Sequence, residues 1–450
     1  MIRRHIARRI GLPLQDLVTG TSIVDTFRFL MESQYWDSER MEEYRLAKLK
    51  NIVAHAYRSV PFYREEFDRV KLRPGDIASM DDLQKIPVVT REMLRSRNLD
   101  FVSAGSSMRG IRIGKTGGTT GAPVLVYKDQ SDRTFTWASY YRWYKWMGLD
   151  MGSSSLTLWG ARDVTRTRPA DVLKTTFTNL IQNAIVINSF RLNKENMSRV
   201  VNKINSARPA IIKGYLSSLL FLAEYMEENN LELTYTPVAL SSTTETLLPH
   251  HRIFLEKVFR APMYDQYGCG EVSAIAYECP HHNGLHITQE HVITEIVDEN
   301  GIPVSHSGNV IVTNLDNYIM PFIRYLNGDV ATPSVKECSC GVNQPLLVSV
   351  DGRSGDTITL KDGAKVHGVF FTDILYEKGI LSDRIQRFQV YQIVSGEIEF
   401  RIESHVAADE ALDTMIYNAL KKYFNRVDIV RKARCRRGRP RDAYKQLPRA

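Results

Sequence analysis

Several features are scarce or missing in this chain of 450 residues. No apolar run approaches the roughly 20 residues that a membrane-spanning helix needs. The basic opening segment, residues 1–11, lacks the apolar core of a secretory signal. Five cysteines, a small and odd number, argue against a disulfide framework. These absences predict a soluble, cytoplasmic protein with no integral membrane association, and the length of the chain allows about two or three domains.

The positive charge is concentrated in one segment. The chain has 59 basic and 51 acidic residues, a formal net charge of +8. Residues 420–450 contain many of the basic residues and only two acids, Asp428 and Asp442, so the remainder is slightly acidic. A nucleic-acid-binding surface spread over the whole protein is therefore not expected.

Hydrophobic spacing predicts alternating helices and strands, as in an α/β domain. Helical spacing occurs at 39–58, 196–207, 216–228 and 248–259, and strand patterns occur at 122–128, 291–298 and 309–315. Further along, 389–394 and 397–402 read as a hairpin, and one apolar helical face follows it. We predict a first domain at 1–351 and a second at 352–450. The polar stretch 351–356 between them suits a hinge.

The segment with the clearest chemistry is a glycine- and threonine-rich turn after Lys115. Its backbone N–H groups and hydroxyls can surround polyphosphate oxygens, which need many donors at close approach. A Walker A loop ending at Gly114–Thr116 is excluded, because that motif needs glycine where Arg109 stands. The predicted phosphate-binding residues are Thr116, Gly117, Gly118, Thr119, Thr120 and Gly121.

The sequence of this turn, TGGTTGAP, resembles the phosphate loop of adenylate-forming enzymes, particularly the phenylacetate–coenzyme A ligase-like branch with its capsule-biosynthesis relatives. Further segments resemble landmarks of this family in the same order: PFYREEF, STTETL, YDQYGCGE, GLHITQEH, MPFIRYLNGDV and GRSGD. The resemblance implies a large N-terminal α/β domain with mixed sheets and helices. It also implies a small, mobile C-terminal α+β lid domain.

The resemblance assigns roles to individual residues around ATP and Mg²⁺. It places Tyr267 against the adenine, counts the neighbouring Gly268 among the nucleotide-binding residues and assigns Glu271 to the metal. Asp329 would accept hydrogen bonds from the ribose hydroxyls. Further nucleotide contacts fall to three residues, Ser242, Thr243 and Arg353. Taken alone, a tyrosine and a glutamate near a turn are more often structural.

Two other segments resemble catalytic parts of the family. In the basic tail, Lys445 corresponds to the adenylation lysine, whose charge would stabilise the attack of a carboxylate on phosphorus. The alternative is a solvated lysine in a charged tail. Seven aromatics at 135–146 and the segment 213–215 resemble the surroundings of the acyl pocket, which would suit a flat or hydrophobic acid. Alone, the aromatics indicate core packing.

Cysteines and a histidine form a candidate structural zinc site. Cys279 and His282 form a Cys-x-x-His pair, and Cys338 and Cys340 form a Cys-x-Cys pair, which together supply the four ligands of tetrahedral Zn²⁺. His281 is the alternative histidine, and buried free cysteines are the alternative to a metal. The resemblance also implies a structural zinc bound by such cysteines.

The sequence thus predicts an ATP-dependent ligase that activates a small carboxylic acid as an acyl-adenylate. The acceptor would be a thiol, such as that of coenzyme A. An amine acceptor, giving an amide on an acid sugar, is the alternative. A non-catalytic, zinc-stabilised protein that binds polyanions through its tail is the rival of another class. No nucleic-acid partner is expected for the enzyme. The sequence does not decide between a monomer and a homodimer.

Overall fold

A computed structural model describes most of the chain. The described residues are 7–115, 124–159, 179, 182–189, 192–353, 358–362, 365–366, 370–371, 374–375, 378, 380, 385, 387–403 and 409–432. They divide into two compact units, and the main break in the chain falls between Val350 and Asp351.

The larger unit contains all but one of the α-helices given bounds below. After a π-turn at Ala7–Gly11, they are α1 (Leu12–Thr19), α2 (Ile23–Ser33), α3 (Ser38–Ser59), α4 (Pro61–Arg69), α5 (Arg91–Ser96), α6 (Gln130–Trp146), α7 (Lys194–Ala207), α8 (Leu216–Glu228) and α9 (Pro249–Phe259). The predicted helices correspond to α3, α7, α8 and α9 and are confirmed. No helix in the described ranges is long and apolar enough to span a bilayer.

The longest helix, α3, shows how local sequence sets these bounds. It begins after Asp37, whose carboxylate accepts a hydrogen bond from the Arg40 backbone N–H at 2.9 Å. Its apolar stripe is buried. It ends at Ser59, two residues before Pro61, because a proline disfavours helix in the residue that precedes it. Pro61 then opens α4, where its missing N–H costs nothing.

A parallel sheet forms one layer of the larger unit. Its strands are β3 (Ser155–Trp159), β4 (Ala184–Asn188), β5 (Ile211–Tyr215), β6 (Ala239–Thr243) and β7 (Met263–Tyr264), in the order β4-β3-β5-β6-β7. Helices α7, α8 and α9 share an apolar core with these strands. Such an arrangement aligns the carboxyl ends of all the strands along one edge.

A second, larger sheet has mainly antiparallel neighbours. It runs β11-β12-β13-β14-β10-β9-β8. In chain order its strands are β8 (Gln266–Tyr267), β9 (Ala276–Glu278), β10 (Leu285–Ile287), β11 (Val292–Val297), β12 (Gly308–Asn314), β13 (Tyr325–Pro333) and β14 (Leu346–Arg353). The predicted strands at 291–298 and 309–315 are β11 and β12, paired antiparallel.

A separate two-stranded ribbon flanks the glycine- and threonine-rich turn. Strand β1 (Arg112–Lys115) pairs antiparallel with β2 (Leu125–Lys128), and Lys115 lies opposite Leu125. The strand expected at 122–128 is confirmed from Leu125 onward. Thr116–Gly121 themselves lie outside the described residues.

The smaller unit contains β15 (Ile358–Thr359), β16 (Lys365–Val366), β17 (Arg387–Val394), β18 (Glu397–Glu403), α10 (Glu410–Leu420) and β19 (Arg426–Lys432). The predicted hairpin is β17–β18, and the predicted helical face is that of α10. Strand β19 was not predicted and pairs in parallel with β18. A core around Phe371, Phe400 and Ile416 holds these elements together.

Candidate active site and metal centre

Aromatic and hydroxyl side chains end the central strands of the parallel sheet. Trp159 ends β3 and Tyr215 ends β5, and their rings stack with centroids 4.5 Å apart. Thr243 ends β6 and lies opposite Tyr215 in the strand register. Ligands of open α/β sheets bind outside the carboxyl ends of the strands. This edge is therefore the candidate site.

Two serines of β6 bury hydroxyls that have no partner among the described residues. Ser241 and Ser242 are fully buried, and neither Oγ makes a hydrogen bond there. A buried polar group without a partner costs about 1–3 kcal/mol. Both hydroxyls are thus available to hydrogen-bond a ligand or an ordered water.

The loop after β6 is held in an unusual conformation. Thr244 has a φ of 73°, a left-handed value that is rare for a β-branched residue. The next residue, Glu245, accepts hydrogen bonds from the Ser217 backbone N–H at 2.7 Å and from its hydroxyl at 2.8 Å. Since Ser217 lies in the first turn of α8, the carboxylate also complements the helix dipole. Backbone strain of this kind is concentrated at functional sites.

Tyr267 lies on a tight glycine turn beside β13. The Ile275 backbone N–H donates to the Tyr267 carbonyl at 3.1 Å, which brings the two sides of the turn together. A Cβ on Gly268 would lie 3.2 Å from the Ala274 nitrogen, so a larger residue would require this backbone to shift by a few tenths of an ångström. The tyrosine ring is buried, and its hydroxyl accepts a hydrogen bond from Asn327 Nδ2 at 2.7 Å. Its position is thus fixed from β13.

Glu271 is a buried carboxylate within the same turn. Its Oε1 accepts hydrogen bonds from the Tyr325 hydroxyl at 3.0 Å and from Arg91 Nη1 at 3.2 Å. Burial, followed by the charge of Glu271, raises the pKa of Tyr325, so this phenol stays protonated and donates. Arg91 opens α5, directly after the N-cap residue Thr90. The arrangement orients a carboxylate, the ligand type that Mg²⁺ prefers.

The structure describes only some of the other residues that were predicted to bind the nucleotide. Asp329 lies in β13 and is half-buried, two positions after Asn327. Upstream, Arg324 forms a structural ion pair with Glu295, 2.9 Å apart, and donates to the Ile86 carbonyl. The side chain of Arg353, all of Thr116–Gly121, and Lys445 lie outside what is described.

Three cysteines and one histidine form a compact cluster in the larger unit. The ligand atoms of Cys279, His286, Cys338 and Cys340 all lie within 4.8 Å of one another. Cys279 Sγ is 3.7 Å from Cys338 Sγ, and Cys340 Sγ is 3.3 Å from His286 Nε2. Burial raises the pKa of the Cys279 thiol to about 12. This S₃N donor set fits a tetrahedral structural Zn²⁺.

The histidine of this cluster differs from the predicted one. His282 Nδ1 lies 3.1 Å from Arg252 Nη1 and 3.2 Å from Glu278 Oε1. The alternative, His281, contacts the Ser339 hydroxyl at 2.9 Å through Nδ1. Of the four predicted ligands, the structure therefore brings together the three cysteines, and His286 joins them in place of His282.

The aromatic run on α6 mostly packs into the core. Trp143 is fully buried and donates from Nε1 to the Glu278 carbonyl at 2.8 Å. One member of the run connects to the candidate site, because Lys213 Nζ of β5 donates to the Tyr144 hydroxyl at 2.6 Å. The core interpretation thus fits most of these rings.

Comparisons with known proteins identify the fold. The chain is 24% identical to the protein CapK of Staphylococcus aureus over 354 residues, covering 75% of each chain. It is 24% identical to the phenylacetate-coenzyme A ligase of Thermus thermophilus over 345 residues, 72% of each chain. A solved 2-hydroxyisobutyryl-CoA ligase in complex with 2-HIB-AMP matches with a TM-score of 0.73 and 20% identity, covering 90% of this chain and 91% of that one. No family model matches the sequence.

The chain has the fold of the adenylate-forming ligases. The resemblance to the phenylacetate–coenzyme A ligase-like branch and the mixed α/β fold class are thereby confirmed.

The sequence analysis did not identify four residues that position the predicted site residues or complete the cysteine and histidine cluster. Arg91, Tyr325 and Asn327 hold Glu271 and Tyr267, and His286 completes the candidate metal-binding cluster. A signal for two of them was present, since Tyr325 and Asn327 alternate along the segment that resembles the ribose-binding landmark. Arg91 carried no signal, because it is 180 residues away from its partner.

Proposed function

We propose that this protein is an ATP-dependent ligase that activates a carboxylic acid as an acyl-adenylate and transfers the acyl group to the thiol of coenzyme A. The observation that carries the proposal is the edge of the parallel sheet, where the stacked rings of Trp159 and Tyr215 end two strands and β6 carries two buried serine hydroxyls without a partner among the described residues. The names of the relatives support the acceptor, since they include coenzyme A ligases.

In the first step, a carboxylate oxygen of the substrate attacks the α-phosphorus of ATP. The bond between the α-phosphorus and the bridging oxygen breaks, and pyrophosphate leaves. We assign the phosphates to residues 116–121, the adenine to Tyr267 and the backbone of Ser242 and Thr243, and the ribose to Asp329. Lys445 would stabilise the charge that develops on the attacked phosphate.

Glu271 is the residue that would hold Mg²⁺. Its position is supported by the two donors on Oε1, which fix the carboxylate in a buried turn. When bound, this ion neutralises phosphate charge. The protein contributes the orientation, and most of the catalysis comes from positioning and electrostatics.

In the second step, the thiol sulfur attacks the acyl carbon, and AMP leaves as the thiol proton is lost to solvent or a base. The body of the acid would lie against Trp159 and Tyr215, whose stacked rings favour a flat or hydrophobic group. Arg353 and the stretch 352–356 would take part in the rearrangement between the steps.

We further propose that the cluster of Cys279, His286, Cys338 and Cys340 holds a structural Zn²⁺. Four protein ligands leave no open position on the metal. The ion would therefore link the loop that precedes β14 to β9 and β10, and it would take no part in the reaction.

Pyrophosphate exchange tests the activity. With a panel of aryl, hydroxy and sugar acids, at least one acid should support acid-dependent exchange of labelled pyrophosphate into ATP. Glu271→Gln keeps the shape of the side chain but loses its charge, and should lower that exchange on the order of tenfold or more. Lys445→Ala should abolish it while ATP still binds.

Glu92→Gln is the matched control, because Glu92 is an exposed residue of α5 that pairs only with the nearby Arg95 among the contacts described here. It should exchange like the parent protein. If no acid supports exchange and calorimetry detects no ATP binding, the ligase proposal fails. If exchange occurs but only amine acceptors yield a product, the acceptor assignment fails and the adenylation assignment stands.

A further inference from the structure

The parallel sheet carries a row of polar side chains below its candidate edge. Thr157 of β3, Lys213 of β5 and Ser241 of β6 lie side by side in the strand register. Each lies two residues before the end of its strand, and the rings of Trp159 and Tyr215 stack at that end. Because side chains alternate along a strand, the row lies on the same face as the stacked rings, about 7 Å further into the sheet.

This face of the sheet is directed towards α6. The neighbouring positions Ile212 and Leu240 have the opposite orientation and belong to the core shared with α7, α8 and α9. On the other side, Lys213 Nζ donates to the Tyr144 hydroxyl of α6 at 2.6 Å. Lys213 and Ser241 are therefore held between two layers of the larger unit, below the edge at which we place the nucleotide.

Lys213 is a cation without a negative partner in the described part of the chain. Its hydrogen-bond partner there is the Tyr144 hydroxyl, and no ion pair among the described residues includes this lysine. The side chain is half-buried, so it is partly removed from water but still open to a ligand. A charge that loses water without gaining a counter-ion is costly, which is why such groups are usually paired.

The groups next to this cation are hydrogen-bond donors. Ser241 is fully buried, and its Oγ has no partner among the described residues. Tyr144 accepts from Lys213, so its own O–H can donate to another acceptor. One positive charge with two neighbouring hydroxyls suits the oxygens of a carboxylate, which can only accept.

We propose that Lys213, Ser241 and Tyr144 bind a second, negatively charged group of the acid, at the end remote from the carboxylate that is activated. This inference rests on the proposed ligase function, which places the activated carboxylate beyond the carboxyl ends of the strands. A group that reaches Lys213 lies about 7 Å deeper, past the stacked rings. The substrate class is therefore a dicarboxylic acid, or another acid with an anionic far end and a flat or apolar middle.

Matched pairs of acids test this specificity in the pyrophosphate exchange assay. We would pair 4-carboxyphenylacetate with 4-methylphenylacetate, and glutarate with pentanoate, because the members of each pair differ chiefly in the charge at the far end. The parent protein should use at least one charged acid with a kcat/KM about tenfold or more above that of its uncharged partner. Calorimetry of the same acids, with and without AMP, measures this preference as a ratio of dissociation constants and does not require catalysis.

Lys213→Met removes the charge and keeps most of the length of the side chain. It should lower the ratio of charged to uncharged acid about tenfold or more in both measurements. Lys213→Glu should reverse the preference, so that 4-(aminomethyl)phenylacetate is favoured over 4-carboxyphenylacetate, an effect that a merely structural lysine would not have. Lys257→Met is the matched control, because Lys257 pairs with Glu227 on the exposed surface. It should keep the ratio of the parent.

The proposal is overturned if the parent prefers the charged member of neither pair, or if Lys213→Met keeps the preference. Exchange that is supported equally well by the uncharged acids overturns it and leaves the ligase proposal standing. Charged acids that bind with a preference lost in Lys213→Met, but support no exchange, would confirm the binding site and contradict the ligase proposal. Unchanged thermal unfolding of each variant checks the fold.

Discussion

His286 shows how one hydrogen bond sets the chemistry of a side chain. Its Nδ1 lies 3.1 Å from the Gln344 carbonyl, to which the ring N–H donates, so Nε2 carries the lone pair towards Cys340. Burial lowers the pKa of His286 to about 4, which keeps the ring neutral at ordinary pH. A neutral imidazole oriented by a carbonyl on its other nitrogen is the usual state of a metal-bound histidine.

We expect that His286→Ala lowers the zinc content of the purified protein well below one ion per chain, because it removes one of four ligands. The melting temperature should fall with it, since structural zinc stabilises the folded state. Elemental analysis and thermal unfolding measure the two effects.

His282→Ala is the matched control, because it changes the histidine that the sequence favoured and leaves the cluster intact. It should keep its zinc. Metal loss in His282→Ala but not in His286→Ala would contradict the assignment.

The sequence analysis identified the three cysteines of the cluster but not this histidine. Cys-x-x-His spacing is typical of metal knuckles and favoured His282. The structure gives that position a φ of 53° and places its Nδ1 beside Arg252 and Glu278. His286 enters the cluster because β10 pairs with β9, which carries the chain up to Cys279. Strand pairing of this kind is tertiary information that spacing does not contain.

Helix α6 is joined to the rest of the larger unit by a buried ion pair. Arg142 Nη1 donates to Glu290 Oε1 at 2.7 Å, and both side chains are fully buried. Ser33 of α2 and Gln344 also donate to the Glu290 carboxylate, at 2.6 and 2.8 Å. One carboxylate thus connects two helices and the chain leading into β14.

Arg142→Met should destabilise the protein by about 3–5 kcal/mol, because it leaves a buried carboxylate without its cation. Urea unfolding followed by tryptophan fluorescence would measure the loss. Arg28→Met is the control, because Arg28 pairs with Asp25 on the exposed surface of α2. It should leave stability almost unchanged. Equal effects of both substitutions would mean that Glu290 is not stabilised by Arg142.

Among the elements, the sequence predicted those with strong local patterns. The apolar stripe of α3 and the alternation of β17 and β18 are visible over a few residues. Strand β19 was missed because it looked like part of a basic run, although Val427 and Ile429 alternate with its charged residues. Its partner β18 precedes α10, so the two strands are separated in the chain by a helix. Parallel strands connected in this way have no tight turn between them that the sequence could show.

The stability of the molecule as a whole should depend on a partly buried acid in the larger unit. Asp265 follows β7, and burial, with the nearby charge of Glu278, raises its pKa from 3.8 to about 7. The folded state therefore holds this proton more tightly than the unfolded state. The stabilisation is complete below about pH 4 and is lost as the pH rises towards about 7.

Across that range, the free energy of unfolding of the parent should fall relative to that of Asp265→Asn, by up to a few kcal/mol. The amide imitates the protonated acid and does not titrate. Denaturant unfolding at several pH values gives the comparison, with Asp25→Asn as an exposed control. Parallel curves for the parent and Asp265→Asn would show that Asp265 titrates normally.

The short ribbon β1–β2 has a consequence for how this protein can diverge. The pairing of Lys115 with Leu125 fixes the two ends of the intervening segment at the spacing of neighbouring strands. Lengthening a closed segment costs little folding free energy, since the entropic penalty grows only with the logarithm of its length. Folding alone would thus let insertions accumulate between Lys115 and Leu125 in descendants. Selection for ligand binding by this segment would remove such insertions, so a constant segment length among descendants would indicate that the binding has been maintained.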